Sequence, residues 1–321
     1  MSEDVVIPVE NYGRHFGADK SPLIKAVRGV SPDVRRGGEI FGLAGESGSG
    51  KSTPAKAVTG LRRPTGGGTL FKGADVSEKR ERRRHGDMID RGMQVIFQDS
   101  AAAPNPRIRA ADIITEPLAV DKVHRHDKAA PNGRVVELTA RAGLDARFKT
   151  RRPGEISGGR RQRTAIARAP ALEPELIVAD EPAASLDVSI RAQIVNLFQK
   201  LQKERSFAFL FVARDLPMVL LISDRAGVMF AGRLAGLSST GEIFQNPPRP
   251  RTRSLMSAVP SPDPACERAK KIRKLDPDNP RTDGIMAERG PGHFLPPWER
   301  AGPAGPPRSR QKPPRPPPPA T

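Results

Sequence analysis

Cysteine is all but absent from this chain of 321 residues: Cys266 stands alone. A single thiol rules out an internal disulfide, and with it a protein-ligated iron–sulfur cluster or a Cys-rich zinc site. Long hydrophobic runs are missing too. The best, Phe207 to Ala213, is seven residues, far short of the roughly 20 that span a bilayer as a helix. No apolar stretch near the N-terminus has the character of a secretory signal, so the expectation is a cytosolic protein. Aromatics make up only 4% of the residues, too few and too scattered for a base-stacking platform.

Charge is plentiful and one-sided. The formal net charge is +18, which invites nucleic acid or an anionic membrane surface as partner. Its distribution argues against a dedicated nucleic-acid face. Residues 249–321 hold 15 Lys/Arg against 7 Asp/Glu, and Lys79-Arg-Glu-Arg-Arg-Arg84 is a second concentration. Neither is interleaved with aromatics, so both read as solvated basic faces, with no specific nucleic acid as partner.

Residues 45–52, Gly-Glu-Ser-Gly-Ser-Gly-Lys-Ser, fit G-x-x-x-x-G-K-[ST] at every required position. Gly45, Gly48 and Gly50 let the backbone close around a phosphate and aim its N–H groups inward. Glu46, Ser47, Ser49 and Thr53 complete the loop and its exit. Lys51 supplies a cation for the β- and γ-phosphates, and the Ser52 hydroxyl can join a Mg2+ shell. Glu39 to Ala44 reads as a buried strand before the loop. Lys51 to Gly60 reads as a helix whose N-terminus faces the anion.

Further along, Leu176-Ile-Val-Ala-Asp180-Glu181 is an apolar strand ending in two carboxylates. In a phosphate-loop protein the first, Asp180, can hold Mg2+, and the second, Glu181, can orient or deprotonate the attacking water. Ser157-Gly-Gly-Arg-Arg-Gln-Arg163 opens a helix with Ser157 as cap and Gly158-Gly159 leaving its N-terminus bare enough for a phosphate.

The surrounding pattern predicts an α/β fold. Residues 5–44 read as short strands with turns at Gly13, Gly17 and Gly37-Gly38, and 66–73 as another edge strand. Met93 to Phe97 reads as a buried strand ending at Gln98. A helical segment follows, with Val135, Val136, Leu138, Ala142 and Leu144 at helical period. Then come a helix over 157–172, a strand over 175–180, a helix over 188–204 and a strand over 207–213. Such alternation argues for a largely parallel sheet flanked by helices. The division expected is residues 1–246 as the domain carrying the phosphate loop, with a helical insertion at about 105–170, 247–284 as an extension, and 285–321 as a tail. That tail carries 12 prolines and reads as disordered.

Together, Gly45 to Ser52, Gln98-Asp99, Ser157-Gly158-Gly159, Asp180-Glu181 and Ser185-Leu186-Asp187 resemble the motifs of an ABC-type ATPase, in order. Ala44 to Thr53, Gln94 to Asp99, Asn105-Pro-Arg107, Ile113 to Leu118, Leu186 to Ser189 and Ser257 to Pro260 are similar to the ATP-binding subunits of oligopeptide, dipeptide and nickel importers. The resemblance covers about residues 5–265. It implies a P-loop ATPase with an N-terminal antiparallel β subdomain, using ATP and Mg2+. It implies a second ATPase subunit, identical or a paralogue, meeting this one head to tail, with Ser157, Gly158, Gly159 and Asp187 acting on the nucleotide between them. It further implies membrane-spanning permease subunits, a substrate-binding protein acting indirectly, and a peripheral place on the cytoplasmic face of the cell membrane. Gln98 would sense the γ-phosphate and meet Mg2+ beside Ser52 and Asp180, Glu181 would be the general base, and Phe16 would stack on adenine.

Departures from that pattern are specific. Arg214 stands where the family places a histidine near the γ-phosphate, and Arg160 replaces the signature glutamine. Arginine holds phosphate well but accepts no proton. Pro54, Pro170 and Pro217 occupy positions where the family favours leucine or alanine, Pro170 late in its helix. These departures motivate a weak or hydrolysis-impaired ATPase as the alternative, and the +18 charge motivates an ABC-type ATPase acting on nucleic acid as a lesser one.

Overall fold

The computed structural model describes residues 5–16, 24–30, 33–98, 100, 104–121, 130–184, 186–245, 287–290 and 293–295, with isolated positions at 252, 254 and 268. The chain opens with β1 (Val5–Phe16), β2 (Ile24–Val30), β3 (Asp33–Arg35), β4 (Ile40–Gly45) and α1 (Ser52–Val58). There follow β5 (Gly66–Phe71), β6 (Ala74–Asp75), α2 (Lys79–Arg84), α3 (Gly86–Gly92) and β7 (Met93–Ile96). The helices α4 (Ala110–Val120), α5 (Ala130–Arg141) and α6 (Gly158–Arg168) come next, then β8 (Leu176–Asp180), α7 (Val188–Arg205) and β9 (Ala208–Ala213). The last elements are α8 (Leu216–Ile222), β10 (Arg225–Phe230), β11 (Arg233–Ser239), α9 (Thr240–Gln245), β12 (Ala287–Gly290) and β13 (His293–Leu295).

Strands β10, β4, β9, β8 and β7 lie side by side in that order, all parallel. Every residue of β4, β8 and β9 is buried, which is why they read as unbroken apolar runs instead of alternating ones. Phe198 of α7 meets Phe209 and Phe211 of β9 edge-on, each with centroids 5.5 Å apart. This pins the longest helix to the middle of the sheet.

A second, antiparallel sheet has the order β2, β1, β5, β6, with β3 also paired to β1. Its inward residues Tyr12, Val27, Val30 and Phe71 are fully buried. Beyond β7, helices α4, α5 and α6 pack together, each contributing one fully buried anchor: Ile114, Leu138 and Ile166.

Several expectations need correcting. Gly13 is no turn: it lies inside β1, where the pairing with both neighbours is irregular. A glycine tolerates such a bulge without breaking the strand. Gly17 lies outside the described residues. The strand at 66–73 is not at an edge, since β5 sits between β1 and β6. Val135, Leu138, Ala142 and Leu144 are buried as expected, but Val136 is 50% exposed, one residue out of phase with the apolar face of α5. The helix over 157–172 stops at Arg168, and 169–172 is a 3-10 turn with Pro170 in its first two positions. The cost of about 3 kcal/mol for an interior proline is thereby avoided. Pro217 sits in the first turn of α8, the position expected for it, where a missing N–H is tolerated. Within residues 285–321, β12 and β13 pair as a hairpin, and Phe294 pairs with Leu237 of β11. An open strand edge offers backbone donors and acceptors that recruit such an addition.

Candidate nucleotide site

The C-terminal ends of β4, β7, β8 and β9 deliver the candidate residues to one place. Gly45 ends β4, Asp180 ends β8, Gln98 follows β7 and Arg214 follows β9. Parallel strands in register force this, because Ala44 is level with Ala213, Asp180 with Val212, and Ile96 with Ala179. Open parallel sheets bind ligands at this end of their strands.

Two glycines are required by space. A Cβ on Gly45 would lie 2.3 Å from the Met229 carbonyl oxygen, and one on Gly50, which has φ of 99°, would lie 2.5 Å from that of Ala26. The loop is braced by the Ser49 amide donating to the Glu46 carbonyl at 3.1 Å and the Gly232 amide donating to the Ser49 carbonyl at 3.0 Å. Glu46, Ser47 and Gly48 stand exposed at its tip, while Thr53 is half-buried in α1.

Lys51 is 4% exposed, and its Nζ donates to the carbonyls of Gly45 and Glu46, both at 2.7 Å. Burial holds its ammonium below the usual lysine range, partly offset by Glu181 and Asp180. The Ser52 hydroxyl donates to Asp180 Oδ1 at 2.8 Å. Burial pushes the Asp180 carboxyl up, opposed by the Ser52 hydrogen bond and by Lys56. Two oxygen ligands converge here on a buried carboxylate that favours a cation, and oxygen donors suit a small hard one. No group of three His, Cys, Asp or Glu gathers among the described residues. The donor set therefore fits an ion completed by phosphate oxygens and water.

Glu181 follows directly, with φ of 49° and 4% exposure. Its amide donates to the Val212 carbonyl at 2.8 Å, and both carboxylate oxygens are engaged. Arg214 Nε donates to Oε1 at 2.8 Å, and Gln98 Nε2 donates to Oε2 at 3.0 Å. Lys51, Ser52, Gln98, Asp180, Glu181 and Arg214 are thus one constellation.

Ser157, Gly158, Gly159 and Asp187 do not join it. They line a separate cavity of about 620 Å³ together with Phe148 and Arg160. Ser157 is the N-cap of α6, its carbonyl accepting from the Arg161 amide at 2.9 Å, while its side chain makes no capping bond. Arg160 lies over the Phe148 ring, 4.2 Å from its centroid, a cation–π contact. Phe16 ends β1 opposite Ile24. Asp99 and Ser185 lie outside the described residues.

Two residues that the motifs did not mark tie these parts together. Gln162, 3% exposed, projects from α6 and donates to Ser100 Oγ at 2.9 Å and to the Pro182 carbonyl. It joins the helix carrying Ser157 to the segments after Gln98 and Glu181. Arg191 of α7 donates from Nε to the Leu186 carbonyl at 2.8 Å and approaches Asp215 at 3.5 Å. A polar residue at an inward position of an amphipathic helix is the only sequence signal for Gln162; Arg191 gives none.

A phosphate loop between β4 and α1, with an acidic pair on the same strand-end row, defines a P-loop nucleotide-binding fold. Comparisons sharpen this. The family model for ABC transporter matches residues 27–184. The chain is 44% identical over 294 residues to the oligopeptide transport ATP-binding protein OppF of Bacillus subtilis, covering 90% of this chain and 95% of the relative. It is 43% identical over 300 residues to the dipeptide transport ATP-binding protein DppF of Lactococcus lactis subsp. cremoris, covering 90% and 93%. A solved bacterial ABC transporter cassette, itself dimeric, matches with a TM-score of 0.65 at 25% identity, over 73% of this chain and 98% of that one. The chain belongs to the ABC transporter family.

Proposed function

We propose that this chain is the ATP-binding and ATP-hydrolysing subunit that energises a peptide importer. The observation that carries the reading is the split site. One cluster holds a phosphate loop, the candidate metal ligands Ser52 and Asp180 and a general-base candidate, and a second cavity holds a bare helix N-terminus and Asp187. Two subunits set head to tail would bring the loop of one against the second cavity of the other. ATP bound between them would make nucleotide occupancy and subunit closure the same event.

In this reading Lys51 holds the β- and γ-phosphates, the loop amides cradle them, and Ser52, Asp180 and Gln98 face Mg2+, which neutralises the developing charge. Glu181 orients the attacking water and takes its proton. Ser157 to Gly159 and Asp187 contact the nucleotide held by the partner subunit, and Phe16 stacks on adenine. Arg214 sits within reach of the γ-phosphate beside Glu181.

The permease would dock in the groove of about 260 Å³ lined by Leu61, Ile89, Met93 and Phe97. Leu61 and Phe97 are 54% and 44% exposed there, and Phe97 directly precedes Gln98, so docking would reach the site through one peptide bond. No helix among the described residues is long and apolar enough to cross a membrane, which fits a peripheral subunit on the cytoplasmic face. The close relatives named for oligopeptide and dipeptide transport support peptides as cargo. The test is peptide uptake into proteoliposomes containing the complete transporter. ATP-dependent uptake should vanish with Lys51→Ala, and uptake that persists would overturn the reading.

A further inference from the structure

We propose that the surface formed by the turn after α1 and by α2 docks on anionic phospholipid headgroups. From Arg62 to Arg84 there are eight basic and three acidic residues. Within α2, Arg80, Arg83 and Arg84 recur at helical spacing and share one face. They and Lys79 are exposed, and among the described residues none of the four has a carboxylate partner. Of the nearby acids, Glu81 lies 3.5 Å from His85, Asp90 meets Arg82 at 2.6 Å, and Glu78 and Asp87 are exposed, Asp87 in the first turn of α3.

The outward cations of this helix repel one another, although Arg82, Arg83 and Arg84 sit in the last turn, where the helix dipole favours positive charge. The helix buries no residue, and like charges at i and i+4, Lys79 with Arg83 and Arg80 with Arg84, repel each other. What holds it is Arg82, the one arginine turned inward. Its Nη1 donates to the Thr59 carbonyl at 2.9 Å and its Nη2 reaches Asp90. The fold thus anchors α2 by a single side chain and turns the remaining cations outward, a repulsion that an anionic surface would offset.

The neighbourhood favours a bilayer over a nucleic acid. Arg62 and Arg63 are exposed on the turn that leads towards α2, which extends the cationic surface that suits an anionic headgroup layer. No aromatic residue within the basic stretch is available for base stacking, Phe71 being fully buried. The same turn borders the groove assigned above to the permease, so the inference rests on that reading for its orientation: a docked subunit would present α2 towards the bilayer.

The test is flotation of the full chain with vesicles of phosphatidylcholine alone or mixed with phosphatidylglycerol, compared with Arg80→Gln/Arg83→Gln/Arg84→Gln and with Arg308→Gln/Arg310→Gln/Arg315→Gln in the tail. Each arginine beside an anionic leaflet strengthens binding roughly fivefold, so the α2 triple variant should bind about a hundredfold more weakly. The tail variant should stay within a few-fold of the parent, and neutral vesicles should not float the protein. ATP affinity, measured on the same samples, should be unchanged in the α2 variant, which also certifies its fold. Lys51→Ala should lose ATP and still float, separating failure of the nucleotide reading from failure of this one. Equal flotation with neutral vesicles or undiminished binding by the α2 variant would overturn the proposal.

Discussion

Arg214 Nε and Glu181 Oε1 are 2.8 Å apart, an ion pair between a half-exposed guanidinium and a carboxylate whose side chain is 5% exposed. The contact is the main way in which this site departs from the family pattern, because a neutral histidine at 214 would leave Glu181 less tightly held. The pair is open to solvent on the arginine side, so its strength is about 1 kcal/mol or less. Arg214→His should therefore raise steady-state ATP turnover by no more than about fivefold. A fall of tenfold or more would show that the guanidinium contributes to hydrolysis.

Lys51 should reveal itself through pH. Burial lowers the pKa of its ammonium, so its charge is lost as pH rises through a range beneath the usual lysine value of about 10.4. ATP affinity of the parent chain should decline through that range, and Lys51→Arg should remove this alkaline limb. Lys51→Ala should weaken ATP binding by about tenfold to a hundredfold at neutral pH, the worth of a charged hydrogen-bond donor. Isothermal titration across pH reads both effects.

Asp180 has the opposite sign. Burial raises the pKa of its carboxyl, so ionisation costs folding stability above the folded pKa, and the penalty disappears below the unfolded one. Asp180→Asn should raise the melting temperature of the nucleotide-free protein at neutral pH, with the gain vanishing in acid, while removing Mg2+-dependent hydrolysis. In the parent, Mg2+-dependent ATP binding should weaken as pH falls through the raised range in which the Asp180 carboxyl takes up its proton, since proton and cation compete for the same oxygens. Calorimetric melts at several pH values, with and without Mg2+-ATP, check the sign.

Gln162 is buried with two acceptors, Ser100 Oγ and the Pro182 carbonyl. Gln162→Leu keeps much of the volume and leaves both groups without this donor, which costs about 1–3 kcal/mol. Denaturant unfolding should report that loss. If Gln162 also couples α6 to the catalytic strand, turnover should fall more than ATP affinity; equal losses would mark the role as structural only.

Much of this could be read in the residues. The phosphate loop, the acidic pair, Gln98 and the Ser157 helix each depend on local spacing, and strands β4, β8 and β9 announce themselves because burial on both faces leaves no polar alternation. The convergence of six of these residues follows from a parallel sheet placing loops at one end. What could not be read depends on distant partners. The amide of Gln162 matters because Pro182 and Ser100 arrive beside it from elsewhere in the chain. Arg191 gains meaning only when Leu186 and Asp215 fold to either side. The hairpin of β12 and β13 forms on the edge of β11, a partner some fifty residues away, within a stretch whose prolines speak against structure. Pro170 misled for a local reason: the helix ends two residues before it, and helix ends are blurred in sequence.

The account as a whole rests on Glu181 acting on ATP held in this loop. The direct measurement is ATP turnover and nucleotide retention by the complete transporter carrying Glu181→Gln. The substitution keeps the shape and one of the two acceptor oxygens that Gln98 and Arg214 meet, and it removes the base. The expected result is ATP bound and retained unhydrolysed, with peptide uptake lost. Unchanged turnover would contradict the account.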